Sequence, residues 1–276
     1  MISWHEDRCL AVEDALLFLA ASQDAGSEPA LRPYAGGAWL SPDIPATRQA
    51  VDVFDRYAAY ADDDQWRQRA QRMAGWLGHL PGDSSASPTS EDLRLFDLAN
   101  QLPSPWVAPG ESVKDEFTTR VMAREIVSML KSGRATPGSP SAAAVERVAA
   151  WLLDRFEVDA RLEPSYPRLR RGTPQWAPVE TLARIAEAWF ILFERSGDGW
   201  FLNSALHLVD NLRAEQNRGI RNAVLSGALP SSFRSTSTVG TDGDASATVA
   251  YVSALIAEEH ALSKQADRHW QTAATS

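Results

Sequence analysis

Five acids in this sequence stand four to eleven residues after an aromatic, in polar stretches that carry proline or glycine. Asp43 follows Trp39, Glu116 follows Trp106, Glu180 follows Trp176, and Asp242 and Asp244 follow Phe233. Two carboxylates beside flat apolar faces are what glycoside chemistry requires: one acid protonates the leaving oxygen, and the other acts as base or nucleophile across the ring. Aromatic faces stack on the C–H faces of a sugar and are preformed at little entropic cost. Glu180 and Asp244 are the expected catalytic pair, since each opens a clear helix whose dipole favours the ionised carboxylate. Trp39, Asp43, Trp106, Glu116, Trp176, Arg171, Phe233 and Asp242 are the expected substrate-binding residues. The competing reading is ordinary capping, because acids in a first turn bond free backbone N–H groups wherever helices begin.

Other constellations carry less. Asp62-Asp63-Asp64 resembles an acidic metal-binding run, but it falls in a turn and N-capping of the helix from Gln65 explains it. Thr241-Asp242-Gly243-Asp244 resembles part of a calcium loop without the twelve-residue ligand spacing or the terminal Glu, so capping competes with a weak Ca²⁺ site. The five histidines have no metal-ligand spacing, and no metal or other cofactor is expected. His79 and His207 read as surface or satisfied core residues, and Cys9 as a buried helix residue. Arg168, Arg170 and Arg171 form either a solvated charge run or a grip for a carboxylate or sulfate group. Phosphate-binding glycine loops and the G-x-S-x-G nucleophile pattern are missing.

Composition narrows the partners. A formal charge of −9 on 276 residues argues against nucleic acid and against an anionic membrane surface. One cysteine excludes an intrachain disulfide. The apolar run Ala15 to Ala21 is shorter than the roughly 20 residues that span a bilayer, and the start lacks a cleavable secretory pattern, so a cytoplasmic protein is expected. The 10 Trp against 5 Tyr call for a core or a ligand to account for them.

The elements that must position these residues are helical. Ala50, Val53, Phe54, Tyr57 and Ala61 recur at three and four residues, as do Leu182, Ile185, Ala186, Trp189, Phe190 and Phe193. Trp76, Trp151 and Trp189 share that spacing and are expected in the core, and strands should be few. A fixed order then repeats: a helix, a polar loop, an aromatic near proline, and a Thr or Ser opening the next helix (Thr47, Thr118, Thr181, and Ser246 or Thr248). Leu102-Pro103-Ser104-Pro105-Trp106 matches Leu229-Pro230-Ser231-Ser232-Phe233, and the pattern L-x-x-x-Q-x-x-G occurs at Leu19–Gly26 and Leu212–Gly219. Repeat units of about 7–61, 63–133, 140–195 and 199–264 follow, the second with an extra short helix near Glu91 to Asn100. Packing of the last helix on the first could close a ring.

The L-x-x-x-Q-x-x-G ending followed by an aromatic resembles the repeat of the terpenoid-cyclase and prenyltransferase α/α toroids. The order of helix, aromatic loop and helix is similar to the six-hairpin glycosidases, lyases and uronyl epimerases. The resemblance implies an all-α fold: one α/α-toroid domain over 1–276 with four to five helical hairpins, its aromatic loops gathered at one mouth. It implies a carbohydrate-active protein (glycosidase, lyase or epimerase type) that acts on or binds an oligo- or polysaccharide there. A non-catalytic binding or scaffold toroid, or a terpenoid-cyclase-like enzyme, are the alternatives; the missing D-x-D-D run weighs against cyclisation. The expected partner is a carbohydrate or other small organic ligand, and a protein partner or a second copy of the chain stays open.

Overall fold

Periodic apolar residues at three- and four-residue spacing, punctuated by Asp, Ser and Thr caps, produce helices over most of the described residues. The computed structural model describes residues 4–80, 99, 117–166, 176–218, 223–233 and 242–275. Among these lie eight helices: α1 Trp4–Asp24, α2 Ile44–Ala61, α3 Asp64–Gly78, α4 Thr119–Lys131, α5 Pro140–Asp159, α6 Val179–Ser196, α7 Gly199–Arg218 and α8 Ala245–Thr275. A single 3-10 turn, Ala223–Leu225, precedes the last of them. The described strands are four two-residue pieces in two antiparallel pairs, β1 (Tyr34–Ala35) with β2 (Ala38–Trp39) and β3 (Phe117–Thr118) with β4 (Ser165–Tyr166). The fold is all-α, as the periodicity requires. The short helix expected near Glu91 to Asn100 lies outside the described residues apart from Ala99, which is helical.

The acidic run 62–64 is divided among three local tasks at the junction of α2 and α3. Asp62 ends α2 in the left-handed region (φ 52°), the Asp63 side chain accepts from Gln65 N at 2.9 Å, and Asp64 pairs with Arg67 in the first turn of α3. The capping reading of this run holds, and among the described residues no His, Cys, Asp or Glu cluster is placed to hold a metal ion.

The chain separates into two compact units, Met1–Ser84 with Val209–Ile256, and Ser85–Leu208 with Ala257–Ser276. In the first, α2 packs against α3, and Trp66 fills the space between them with Phe54 and Tyr57 edge-on at 5.3 and 5.9 Å. Ser22 near the end of α1 accepts from Arg32 N and donates to Arg32 O, fixing the loop that follows the helix. The two glutamines of the L-x-x-x-Q-x-x-G pattern are buried and make structural bonds. Gln23 donates to Arg69 O and accepts from the Arg69 guanidinium, while Gln216 donates to Ala11 O and Gly227 O and accepts from the Tyr251 hydroxyl. A third, looser copy of this pattern, Leu153-x-x-x-Glu157, has its acid accepting from Ser204.

In the second unit α4 packs on α6, and α5 lies against both. Trp189 is fully buried, donates to Ala149 O at 3.2 Å and stacks obliquely on Phe156. Glu187 is buried on α6 and pairs with Lys131 at 2.8 Å. Arg195 donates to Leu130 O, a carbonyl that the C-terminal end of α4 leaves open, and to Ala135 O in the loop that follows. Arg268 does the same for Glu194 O while its guanidinium lies over Phe193 at 5.2 Å.

Four side chains sit differently from expectation. Trp76 is half-buried, whereas Trp151 and Trp189 are in the core; the face of α3 that is buried is set by Trp66, Ala70 and Met73 at positions i, i+4 and i+7. Cys9 is exposed, because α1 turns Ala11, Ala15, Leu16, Phe18 and Leu19 inward and Cys9 falls outside that stripe. Thr47 and Thr248 do not cap their helices but lie one turn inside them.

The Asp24–Arg69 pair links α1 to α3 at 2.8 Å. The hydrogen bond from Arg69 holds the Asp24 carboxyl below the usual carboxylate value. A depressed folded-state value means the pair stabilises the fold above the ordinary carboxylate range, a contribution lost as pH falls through the lowered value. Asp24 is half exposed and the effect is small. The Asp24→Asn variant should therefore unfold slightly earlier than the parent at neutral pH and converge with it as the pH falls below the ordinary carboxylate range. Parallel thermal melts across that range check this; curves that stay equally separated at every pH would contradict it.

Candidate functional site

In the first unit, the loop before α2 is built on a recurrent junction. Asp43 N donates to Leu31 O at 2.7 Å, Leu31 N donates to the Thr47 hydroxyl at 2.9 Å, and that hydroxyl donates to Asp43 O at 2.6 Å. The Asp43 carboxylate accepts from Ala46 N at 2.9 Å and caps α2. The loop before α8 repeats every bond. Asp244 N donates to Leu229 O at 2.7 Å, Leu229 N to the Thr248 hydroxyl at 3.0 Å, the hydroxyl to Asp244 O at 2.7 Å, and Ala247 N to the Asp244 carboxylate at 2.9 Å. Two segments some 200 residues apart thus share one geometry, in which Asp43-x3-Thr47 ties back to Leu31 and Asp244-x3-Thr248 ties back to Leu229.

These two loops meet. Tyr34 and Gly243 exchange backbone hydrogen bonds, each 2.8 Å, and Gly243 is pressed against Phe18 and Leu225. Trp39 is half-buried, with its ring 5.6 Å from Phe18 and edge-on to Tyr34 at 5.2 Å. It lines a shallow open groove of about 940 Å³ together with Pro33, Leu40, Ser41, Asp43 and Ile44. The expected pairing of Trp39 with Asp43 is therefore present as one concave surface, with Asp242 and Asp244 on the neighbouring loop; Asp242 is exposed. Asp43 and Asp244 both hold helix N-termini, as the capping reading anticipated.

In the second unit, Ala177 N donates to Leu162 O at 2.7 Å, the same backbone tie with Ala177 in place of the aspartate. Pro178 precedes α6 and gives it no side-chain cap. Glu180 in the first turn of α6 accepts from Arg184 at 2.9 Å and from Arg120 at 3.2 Å, with its own side chain largely shielded. Trp176 and Phe233 are half-buried at the loop positions expected of them. Trp106, Glu116, Arg168, Arg170 and Arg171 lie outside the described residues.

Sequence reasoning missed Tyr34, which draws the two loops of the first unit together, and the arginines on Glu180. The spacing of Glu180 and Arg184, one helical turn apart, could have signalled that pair. Nothing local points to Arg120, which comes from another helix, or to the exposed Leu40 that extends the apolar floor beside Trp39. Among the described residues no helix is long and apolar enough to cross a membrane. No family model matches the chain, and no curated protein matches it.

Proposed function

We propose that this chain is an α/α toroid that binds an oligo- or polysaccharide at the groove of Trp39, Leu40, Ser41 and Asp43. The toroid reading is supported by the loop-to-helix junction that recurs bond for bond before α2 and α8 and in part before α6. Such repetition is characteristic of arrays in which each helical hairpin is stabilised by its neighbours. The observation that carries the ligand reading is Trp39: an aromatic in an open groove, braced from behind by Phe18 and Tyr34, with a hydroxyl and a carboxylate close by. A rigid aromatic face covers the C–H face of a pyranose, and Ser41 and Asp43 offer hydrogen bonds to its hydroxyls.

A glycan array followed by titration of the best binder tests this. Trp39→Ala should weaken binding about tenfold or more, in line with loss of an aromatic anchor, while leaving the far-UV circular dichroism unchanged. Binding that is indifferent to Trp39 would remove the assignment. The catalytic form of the proposal rests on Glu180 and Asp244. Its check is turnover of the bound glycan by the parent and by Glu180→Gln and Asp244→Asn, the amides keeping the size of each side chain. Full turnover in both variants would remove these two residues from catalysis, and a parent that binds the glycan without turning it over would be a binding protein.

A further inference from the structure

A second concavity lies wholly within the second unit, where the C-terminal end of α5 meets the start of α7. It encloses about 530 Å³, a volume within the range of small-molecule sites. Its floor is apolar, made by Leu153 and Phe201, and its rim carries Val158 and Trp200, which are 75% and 64% exposed. Asp154, Glu157 and Asp198 also face it, against a single cation, Arg155, whose guanidinium lies over the Trp151 ring at 5.5 Å.

Two features set the sign of the ligand. Three carboxylates against one guanidinium leave the groove negative. The last turn of α5 brings the negative end of a helix dipole and contains no basic residue to answer it. The positive start of α7 is already met by Asp198, which accepts from Trp200 N at 3.0 Å. The acids do not converge closely enough to chelate: no metal-holding cluster exists among the described residues. A diffuse negative field above an exposed indole and an apolar floor suits an organic cation, whose charge is attracted by carboxylates and aromatic face together and whose body covers the floor.

We propose that this groove binds a small organic ammonium compound, its charged nitrogen toward Asp154, Glu157 and Asp198 and its hydrocarbon portion on Trp200, Val158 and Phe201. The test is calorimetric titration of the full chain at low salt with n-hexylammonium chloride, with 1-hexanol and sodium hexanoate as neutral and anionic counterparts. The ammonium compound should bind at least about tenfold more tightly than the alcohol, and the carboxylate should not bind. The double variant Glu157→Gln, Asp198→Asn retains acceptors for Ser204 and Trp200 N and should fold normally while losing that preference. Trp200→Ala should weaken the amine and the alcohol alike. Equal affinity for amine and alcohol, no binding of the amine, or an unchanged preference in the folded double variant would overturn the proposal. So would tighter binding of a lysine-bearing helical peptide than of the amine, which would make the groove a protein-docking surface.

Discussion

Gly227→Ala should unfold this protein or cost it more than about 3 kcal/mol, the range reached when a substitution forces backbone apart. Gly227 has φ +83°, and a Cβ placed there would lie 1.8 Å from the carbonyl oxygen and 2.2 Å from the carbonyl carbon of Asp14. Both are main-chain atoms in the middle of α1, so no rotamer change relieves the overlap. Gly227 O also accepts from the buried Gln216 amide, and a displaced loop would leave that amide one bond short. Gly138 provides the comparison, since it has nearly the same φ, +79°, and open space around it. Its alanine variant should lose only about 1 kcal/mol, the cost of a left-handed non-glycine residue. Urea titrations of the two variants against the parent decide the matter. Equal midpoints for the two would show that the approach of Gly227 to α1 is not rigid.

What the sequence disclosed follows from which physical signals are local. The helices were visible because their apolar stripes repeat within one segment, and the capping aspartates because a cap and the N–H it satisfies lie two or three residues apart, as with Asp43 and Ala46 or Asp63 and Gln65. The repetition was visible in outline, yet its cause was misplaced. The threonines looked like caps, whereas Thr47 and Thr248 reach back across 16 and 19 residues to Leu31 N and Leu229 N. That partner is a backbone amide and leaves no mark on residue type. The candidate site divides the same way: Trp39 and Asp43 share one short loop and could be paired by inspection. The contacts of Tyr34 with Gly243 and of Arg120 with Glu180 are long-range and had no local counterpart.

Capping and ligand binding are compatible at Asp43. A carboxylate has two oxygens and about four acceptor positions, and the cap takes one of them through Oδ1. The cap also fixes the side-chain rotamer, so a hydroxyl arriving at the groove would meet an acceptor already in place. The junction that holds Asp43 therefore bears on the proposed site directly, because it determines where the groove wall stands.

The strongest test of that junction is a set of three valine substitutions with different expected signs. Thr47→Val removes a hydroxyl that accepts from Leu31 N and donates to Asp43 O, in a place where Thr47 and Leu31 are both fully buried. Valine keeps the shape but strands the Leu31 amide without a partner, and such a buried amide costs about 1–3 kcal/mol. Thr248→Val should cost the same, since Leu229 N and Asp244 O are held identically. Thr181 stands at the equivalent place in the junction before α6, four residues after Ala177. Its hydroxyl is buried and finds no hydrogen-bond partner among the described residues. Replacing an unsatisfied buried hydroxyl by a methyl removes a desolvation cost, so Thr181→Val should be neutral or stabilising by about 1 kcal/mol. The three residues share type, burial and position in the repeat, so helix propensity and packing volume change alike in all of them. A difference in sign between Thr181 and the other two can come only from the hydrogen bonds. Three equal losses in a denaturant titration would mean that the hydroxyls are not what ties these loops to their helices.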